Sequence, residues 1–407
     1  MSIPSQTETK ASLVRWDPRK ITEWLMKAGR GITSADQLTA ELGRLLVEAG
    51  APVYRIRIGL RTIHPLVVGS AYTWWRDKVD VEAYNPPHGI MESADYIDSP
   101  IECVHQTGQP FRRYLEDASA DELHSTLATL KASGATDYLA IPLKFVFDDL
   151  PTPLIFVTDR LGGFSPQDIE SFNQIALFLA PVLEVHSQHM TSHALLETYL
   201  GPRTGQKVLS GQIKRGDAEL IEAAIWYSDM RDSTAITEVL SHDQLLKLLN
   251  RYFEVITKAV TNHGGEVLRF IGDAMLVVFP TDKQRNLIQA RKAALAAAKD
   301  AHIEIQRINP LLEKEGLPSI RYGLGLDVGE VVYGNVGAPD RLDFTVLGSA
   351  VNRAARIENL TKEAGCSLLV SEQFASQLGD TFTWLGDYKV AGVEVPLSVY
   401  CAYCDSP

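Results

Sequence analysis

The chain has 407 residues, 45% hydrophobic and 22% charged, with a formal net charge of −12 and four cysteines. That length holds two or three domains of ordinary globular composition. The acidic balance excludes nucleic acid as the expected main partner, since phosphate binding needs a basic face. Four cysteines are too few for a disulfide framework and point to a reducing, cytoplasmic compartment. No uninterrupted apolar stretch approaches about 18 residues, so no transmembrane segment is expected.

Residues 1–19 read as a flexible tail, and 20–187 as a mixed α/β regulatory domain. Ser34 to Gly50 reads as a helix with Ser34 as N-cap and Gly50 as stop. Val53 to Leu60 alternates as a strand, and Tyr138 to Phe147 and Leu154 to Thr158 read as further strands. Ser165 opens a helix with Pro166 at its first position, and its apolar spacing persists through Leu183. A helix, strands and a closing helix that runs onward resemble a GAF-type sensory domain. Tyr72, Trp74 and Trp75 read as core aromatics before pocket lining. His64, His88 and His105 lack metal-ligand spacing, and the sequence names no ligand for this domain.

Residues 188–221 read as a connecting helix followed by a linker of short turns, GPRTGQKVLSGQIKRGD. Residues 222–407 form the second domain. Its order begins with a strand (222–228), a helix (241–263), strands at 266–271 and 274–279, and a long helix from 285. Strands across 320–335 and a helix at 349–364 follow. The expected fold class is α+β, a ferredoxin-like βαββαβ palm.

Asp229 ends the strand in IWYSDMRDST. The peptide N–H groups that follow, through Arg231, Asp232, Ser233 and Thr234, can form an anion-binding concavity. Asp273 sits at a Gly-Asp hairpin tip, where Gly272 permits positive φ. Alone, each aspartate reads as a cap or turn residue. Together they can meet at one sheet edge, as a divalent-metal site for a nucleoside triphosphate requires. Asn352 and Arg356 are four apart and share a helix face. Arg353, at an adjacent angle, reads as a solvated arginine. Cys401 and Cys404 read as a coincidental pair.

The pieces YSDMRDST, GGEVLRFIGDAMLVVFP, GLDVGEVVYGNVG and FTVLGSAVNRAARIE resemble the catalytic domain of the class III nucleotidyl cyclases. Arg203 to Asp217 resembles the segment that often precedes it. The resemblance implies a homodimer with composite active sites and two Mg²⁺ or Mn²⁺ ions per site. Asp229, Asp273 and the carbonyl of Met230 would be the metal ligands. Asn352 and Arg356 of the partner subunit would orient the ribose and neutralise transition-state charge. The two base-reading positions would be Arg269 and Thr345. Arginine can donate to adenine N1, and the threonine hydroxyl can accept from N6. Guanine N1–H would meet no acceptor at Arg269, so ATP is the expected substrate and adenylate cyclase the expected activity.

The chain departs from the family at Asp232, which adds negative charge near the phosphates, and at Ala391, where many members carry Lys or Arg. The alternatives are a guanylate cyclase or a catalytically weak or silent cyclase-fold regulator. An unknown small-molecule or protein input is expected at the N-terminal domain.

Overall fold

The computed structural model describes residues 16–379, 382–390 and 396–404. The chain divides into two compact units, Met1–Thr198 and Tyr199–Pro407. Among the described residues, no helix is long and apolar enough to cross a membrane.

In the N-terminal unit, helices α1 (Arg19–Met26) and α2 (Ala35–Glu48) precede strands β1 (Arg55–Arg61), β2 (Gly69–Trp75) and β3 (Glu82–Tyr84). Then come α3 (Pro100–Thr107), β4 (Phe111–Tyr114), α4 (Ser125–Ala132), β5 (Asp137–Leu143), β6 (Thr152–Thr158) and α5 (Pro166–Leu200). The strands form one antiparallel sheet in the order β3-β2-β1-β6-β5-β4. Alternation along β1 sends Ile56, Ile58 and Leu60 into a core with α2 and α5. Arg55, Arg57 and Arg61 therefore take the other face.

Trp74 is core, as expected, because Gly43 of α2 leaves it room. A Cβ at Gly43 would lie 2.3 Å from the indole. Trp75 packs partly buried against the apolar cluster on the other sheet face and lies under Arg55, 5.0 Å from guanidinium carbon to ring centre. Part of the expected tail is structured. Trp16 is buried, and its Nε1–H donates to Asp168 Oδ1 at 2.8 Å. Residues 1–15 lie outside the described set.

The C-terminal unit opens with α6 (Pro202–Leu209), where the sequence suggested only turns. Thr204 explains the helix. Its N–H and hydroxyl donate to buried Glu266 Oε1 at 2.9 and 2.7 Å, and Tyr333 donates to Glu266 Oε2 at 2.7 Å. A polar network from distant residues thus stabilises a segment of weak local propensity.

Next are β7 (Ala218–Met230), α7 (Ser233–Val239), α8 (His242–Asn262), β8 (Glu266–Ile271), β9 (Ala274–Pro280) and α9 (Leu287–Lys314). The chain continues with β10 (Tyr322–Ala338), β11 (Arg341–Leu347), α10 (Ser349–Ala364), β12 (Cys366–Ser371), α11 (Glu372–Ala375), β13 (Thr383–Tyr388) and β14 (Leu397–Cys404). Sheet order is β13-β14-β12-β10-β7-β9-β8, with β11 paired to β10. The βαββαβ order is as expected. The strand β11, inside the motif that leads to α10, is an addition.

Helix α8 starts on a complete capping box from Ser241 and Gln244. With α9 it covers one sheet face, meeting Ala224, Trp226, Met275 and Val277. Helix α10 covers the other, over Ala223, Ile225, Leu276 and Val278. The period of two places odd-numbered β7 residues, Asp229 among them, on the α10 side.

Helix α10 lies directly on the backbone of β10. A Cβ at Gly325 would sit 2.2 Å from the Ala354 carbonyl oxygen and 2.6 Å from the Glu358 nitrogen. Gly325→Ala should therefore lower the urea midpoint, at a cost of about 1–3 kcal/mol or more, since backbone must move. An unchanged midpoint would show that α10 does not seat this closely.

Candidate active site

Asp229 stands near the end of β7, paired in register with Gly323 of β10. Asp273 follows Gly272, which has φ +66°, in a two-residue turn closed by the Ile271–Ala274 pair. The structure brings the two carboxyls together. Burial, then contact with Asp273 and its charge, pushes the Asp229 carboxyl up to about 6. Asp273 Oδ2 is buried without a hydrogen-bond partner among the described residues. Two crowded carboxylates with an unsatisfied oxygen fit a divalent cation, which would relieve the repulsion and the desolvation together. Among the described residues, no group of three or more His, Cys, Asp or Glu is arranged to hold a metal. The pair would thus share an ion with a main-chain carbonyl, such as that of Met230, and with substrate oxygens.

Glu358 belongs to this neighbourhood and was missed from the sequence. It is 2% exposed on the buried face of α10, and its Oε1 has no partner among the described residues. Burial first, then the charge of Asp229, pushes its carboxyl up to about 7. Room for it comes from Gly323, where a Cβ would lie 2.4 Å from Oε1. The available signal was the pair of glycines at 323 and 325 in YGLGLD, which mark close backbone approach.

After Met230 the chain turns through Asp232, at φ 60°, into α7, which begins with Ser233 and Thr234. The Asp232 carboxylate is paired with Arg321 at 2.5 Å. Arg231 faces the end of α10, donating to the carbonyls of Thr361 and Cys366 at 3.1 and 3.0 Å.

Asn352 is exposed and Arg356 half-buried on α10. Neither side chain makes a hydrogen bond or salt bridge among the described residues, and neither joins the aspartates within one chain. Arg353 is not the solvated arginine expected. Its Nε–H donates to the fully buried Asp327 at 2.6 Å and Nη2–H to the Val328 carbonyl at 3.1 Å. Ser371 donates to the other Asp327 oxygen at 2.5 Å. Arg353 thus anchors α10 to β10.

At the positions expected to read the base, a bulge between Val267 and Arg269 interrupts the β8–β9 ladder. Arg269 forms an ion pair with Asp343, which the sequence reading did not single out. Asp343 and Thr345 lie two apart on β11, so they share a face. Thr345 is buried. Ala391 and the Cys404 side chain lie outside the described residues. Cys401 is buried in an apolar cluster with Cys366 and Val399.

Residues 218–401 match the family model described as the adenylate and guanylate cyclase catalytic domain. This part of the chain is a class III nucleotidyl cyclase catalytic domain. The chain is 31% identical to adenylate cyclase 1 of Rhizobium meliloti (strain 1021) over 295 residues, 70% of this chain and 44% of that protein. It is 33% identical to an adenylate cyclase of Anabaena cylindrica over 196 residues, 46% of this chain and 38% of that protein. The chain therefore spans less than half the length of these curated relatives. Among solved structures, the adenylyl cyclase CyaB from P. aeruginosa aligns with TM-score 0.43 at 25% identity, over 47% of this chain and 97% of that one. The guanylyl cyclase Cya2 aligns with TM-score 0.41 at 27% identity, over 45% and 92%.

The crowded carboxyls give a signed pH dependence. Asp229 and Glu358 ionise higher in the folded chain than their ordinary values of 3.8 and 4.5. The folded state thus holds protons that the unfolded chain has released. Without metal, their contribution to stability is complete below about 4 and is lost as pH rises through 6 and 7. Asp229→Asn should flatten this fall, and Mn²⁺ at pH 7 should raise the unfolding midpoint of the wild type but not of this variant. Midpoints measured in chelator and in Mn²⁺ across pH check both. A wild-type midpoint that did not respond to Mn²⁺ would contradict the metal assignment.

Proposed function

We propose that the chain is an adenylate cyclase, converting ATP to 3′,5′-cyclic AMP and pyrophosphate at composite sites of a homodimer. The observation that carries this reading is the Asp229–Asp273 pair with its unsatisfied buried oxygen. Asp229, Asp273 and the Met230 carbonyl would hold Mg²⁺ or Mn²⁺. Bound there, two such ions supply Lewis-acid charge to the triphosphate and to the attacking hydroxyl. Asn352 of the partner subunit orients the ribose so that its 3′-oxygen stands in line with the α-phosphorus. Arg356 of the partner subunit donates to the charge that develops on the phosphorus oxygens. That neither side chain has a partner among the described residues supports their use across an interface.

For the base, Arg269 retains N–H donors beyond its pair with Asp343 and can donate to adenine N1. The Thr345 hydroxyl can accept from N6. The N-terminal unit is read as a GAF-like regulatory domain, supported by its element order and by the long helix that closes it.

One observation favours a second reading, guanylate cyclase. The carboxylate of Asp343 beside Arg269 is the acceptor that guanine N1–H would need, while Arg269 donates to O6.

A product assay with ATP and GTP in Mn²⁺ separates the two. Asp343→Ala should leave cyclic AMP formation within about tenfold of wild type if adenine is read by Arg269 and Thr345. Loss of a dominant cyclic GMP activity in that variant would establish the second reading. Asp273→Ala should abolish turnover in a folded protein. Arg356→Ala should lower kcat by about 10²-fold or more with KM little changed. Mixing these two inactive chains should restore activity through heterodimers with one intact site, and absence of rescue would argue against a shared site.

A further inference from the structure

The N-terminal unit contains a cavity of about 340 Å³ on the sheet face covered by α3 and α4. That volume lies in the range that encloses small organic ligands. Its floor is the outer face of β1, which carries Arg57 and Arg61. On most sheets a face under helices is apolar. Here the strand places guanidiniums where the opposite face has isoleucine and leucine.

Neither arginine makes a salt bridge among the described residues. Arg57 lies with its guanidinium carbon 5.9 Å from the ring centre of Tyr84, which also lines the cavity. Burial draws its pKa below the ordinary arginine value, so its charge is poorly solvated. A buried guanidinium does not surrender its proton near neutral pH, and an uncompensated one is costly. Arg61 stands four residues along the same face, about 13 Å away at the backbone. Long side chains allow both to reach one ligand. Of the acids on this side, Asp95 lies in the lining, Asp148 senses the charge of Arg61 without pairing to it, and Glu82 is paired with Lys78.

From α3, His105 also lines the cavity. Its Nδ1 lies 2.9 Å from the Tyr96 hydroxyl, and its Nε2 is buried without a partner among the described residues. Ile90, Met91, Ile101 and Ile155 supply apolar wall. The cavity thus joins an unpaired cation and a free imidazole nitrogen to an apolar enclosure.

We propose that this cavity binds a small organic anion, a carboxylate or phosphate on an apolar or aromatic body. Its charged group sits on Arg57, within the field of Arg61, and its body lies against the apolar wall. His105 Nε2 supplies a further polar contact. The site is independent of the cyclase reading, and its test reads binding, not turnover.

The experiment uses the full chain, with calorimetry and thermal unfolding. The probes are 3-phenylpropionate, octanoate, phenyl phosphate, inorganic phosphate and the neutral 3-phenylpropanamide. At least one organic anion should bind and raise the unfolding midpoint, while the amide should not. Preference for the carboxylates or for phenyl phosphate identifies the anionic group. Arg57→Gln should weaken that anion by about tenfold or more, as loss of a charged hydrogen bond does. His105→Ala should weaken it less. Comparison of anion with amide on the wild type stands even if Arg57→Gln does not fold. The proposal is overturned if no organic anion binds, if the amide binds as tightly, if inorganic phosphate alone binds as tightly as phenyl phosphate, or if folded Arg57→Gln retains full affinity.

Discussion

The seating of α10 on β10 is the contact on which the catalytic unit depends. Gly323 and Gly325 bring the helix against strand backbone, with no space for a Cβ between them. Arg353 locks it there through Asp327, a carboxylate that would be costly to bury alone. One helix then performs two tasks. Its buried face delivers Glu358 beside the aspartates of its own chain, and its outer face offers Asn352 and Arg356. Both faces shift together if the glycine contact shifts.

Electrostatics at the strand ends follow from that packing. Burial brings Asp229, Asp273 and Glu358 into one poorly solvated neighbourhood, where Asp273 makes ionisation of Asp229 harder and both aspartates make ionisation of Glu358 harder. A divalent cation bound there would relieve this repulsion. The opposite imbalance occurs in the N-terminal unit, where Arg57 makes no salt bridge among the described residues. In both units the informative feature is a charge left uncompensated by the fold itself.

Base recognition illustrates how a single partner alters a reading. Arg269 considered alone is a pure donor. Paired with Asp343 it becomes half of a donor–acceptor edge, and the choice between the two proposed activities turns on which half would meet a base. Asp343 and Thr345 are alternate residues of β11, a strand hidden in sequence by its mixed polar and apolar pattern.

Much of the architecture was legible in the sequence. The capping box at Ser241, the Gly272–Asp273 turn, the alternation of β7 and the helical period of α10 are set by residues within a few positions of one another. They therefore specify the βαββαβ order and the strand-end placement of both aspartates. Helix α6, the structural role of Arg353, burial of Glu358 and the Arg269–Asp343 pair were not legible. Each depends on partners tens of residues away, such as Glu266 for Thr204 and Asp327 for Arg353. Sequence by itself determined which chemical groups the chain carries and the local elements that present them. Tertiary structure alone decided which of those groups are neutralised and which are left with unspent charge, because burial and pairing are properties of contacts between distant segments.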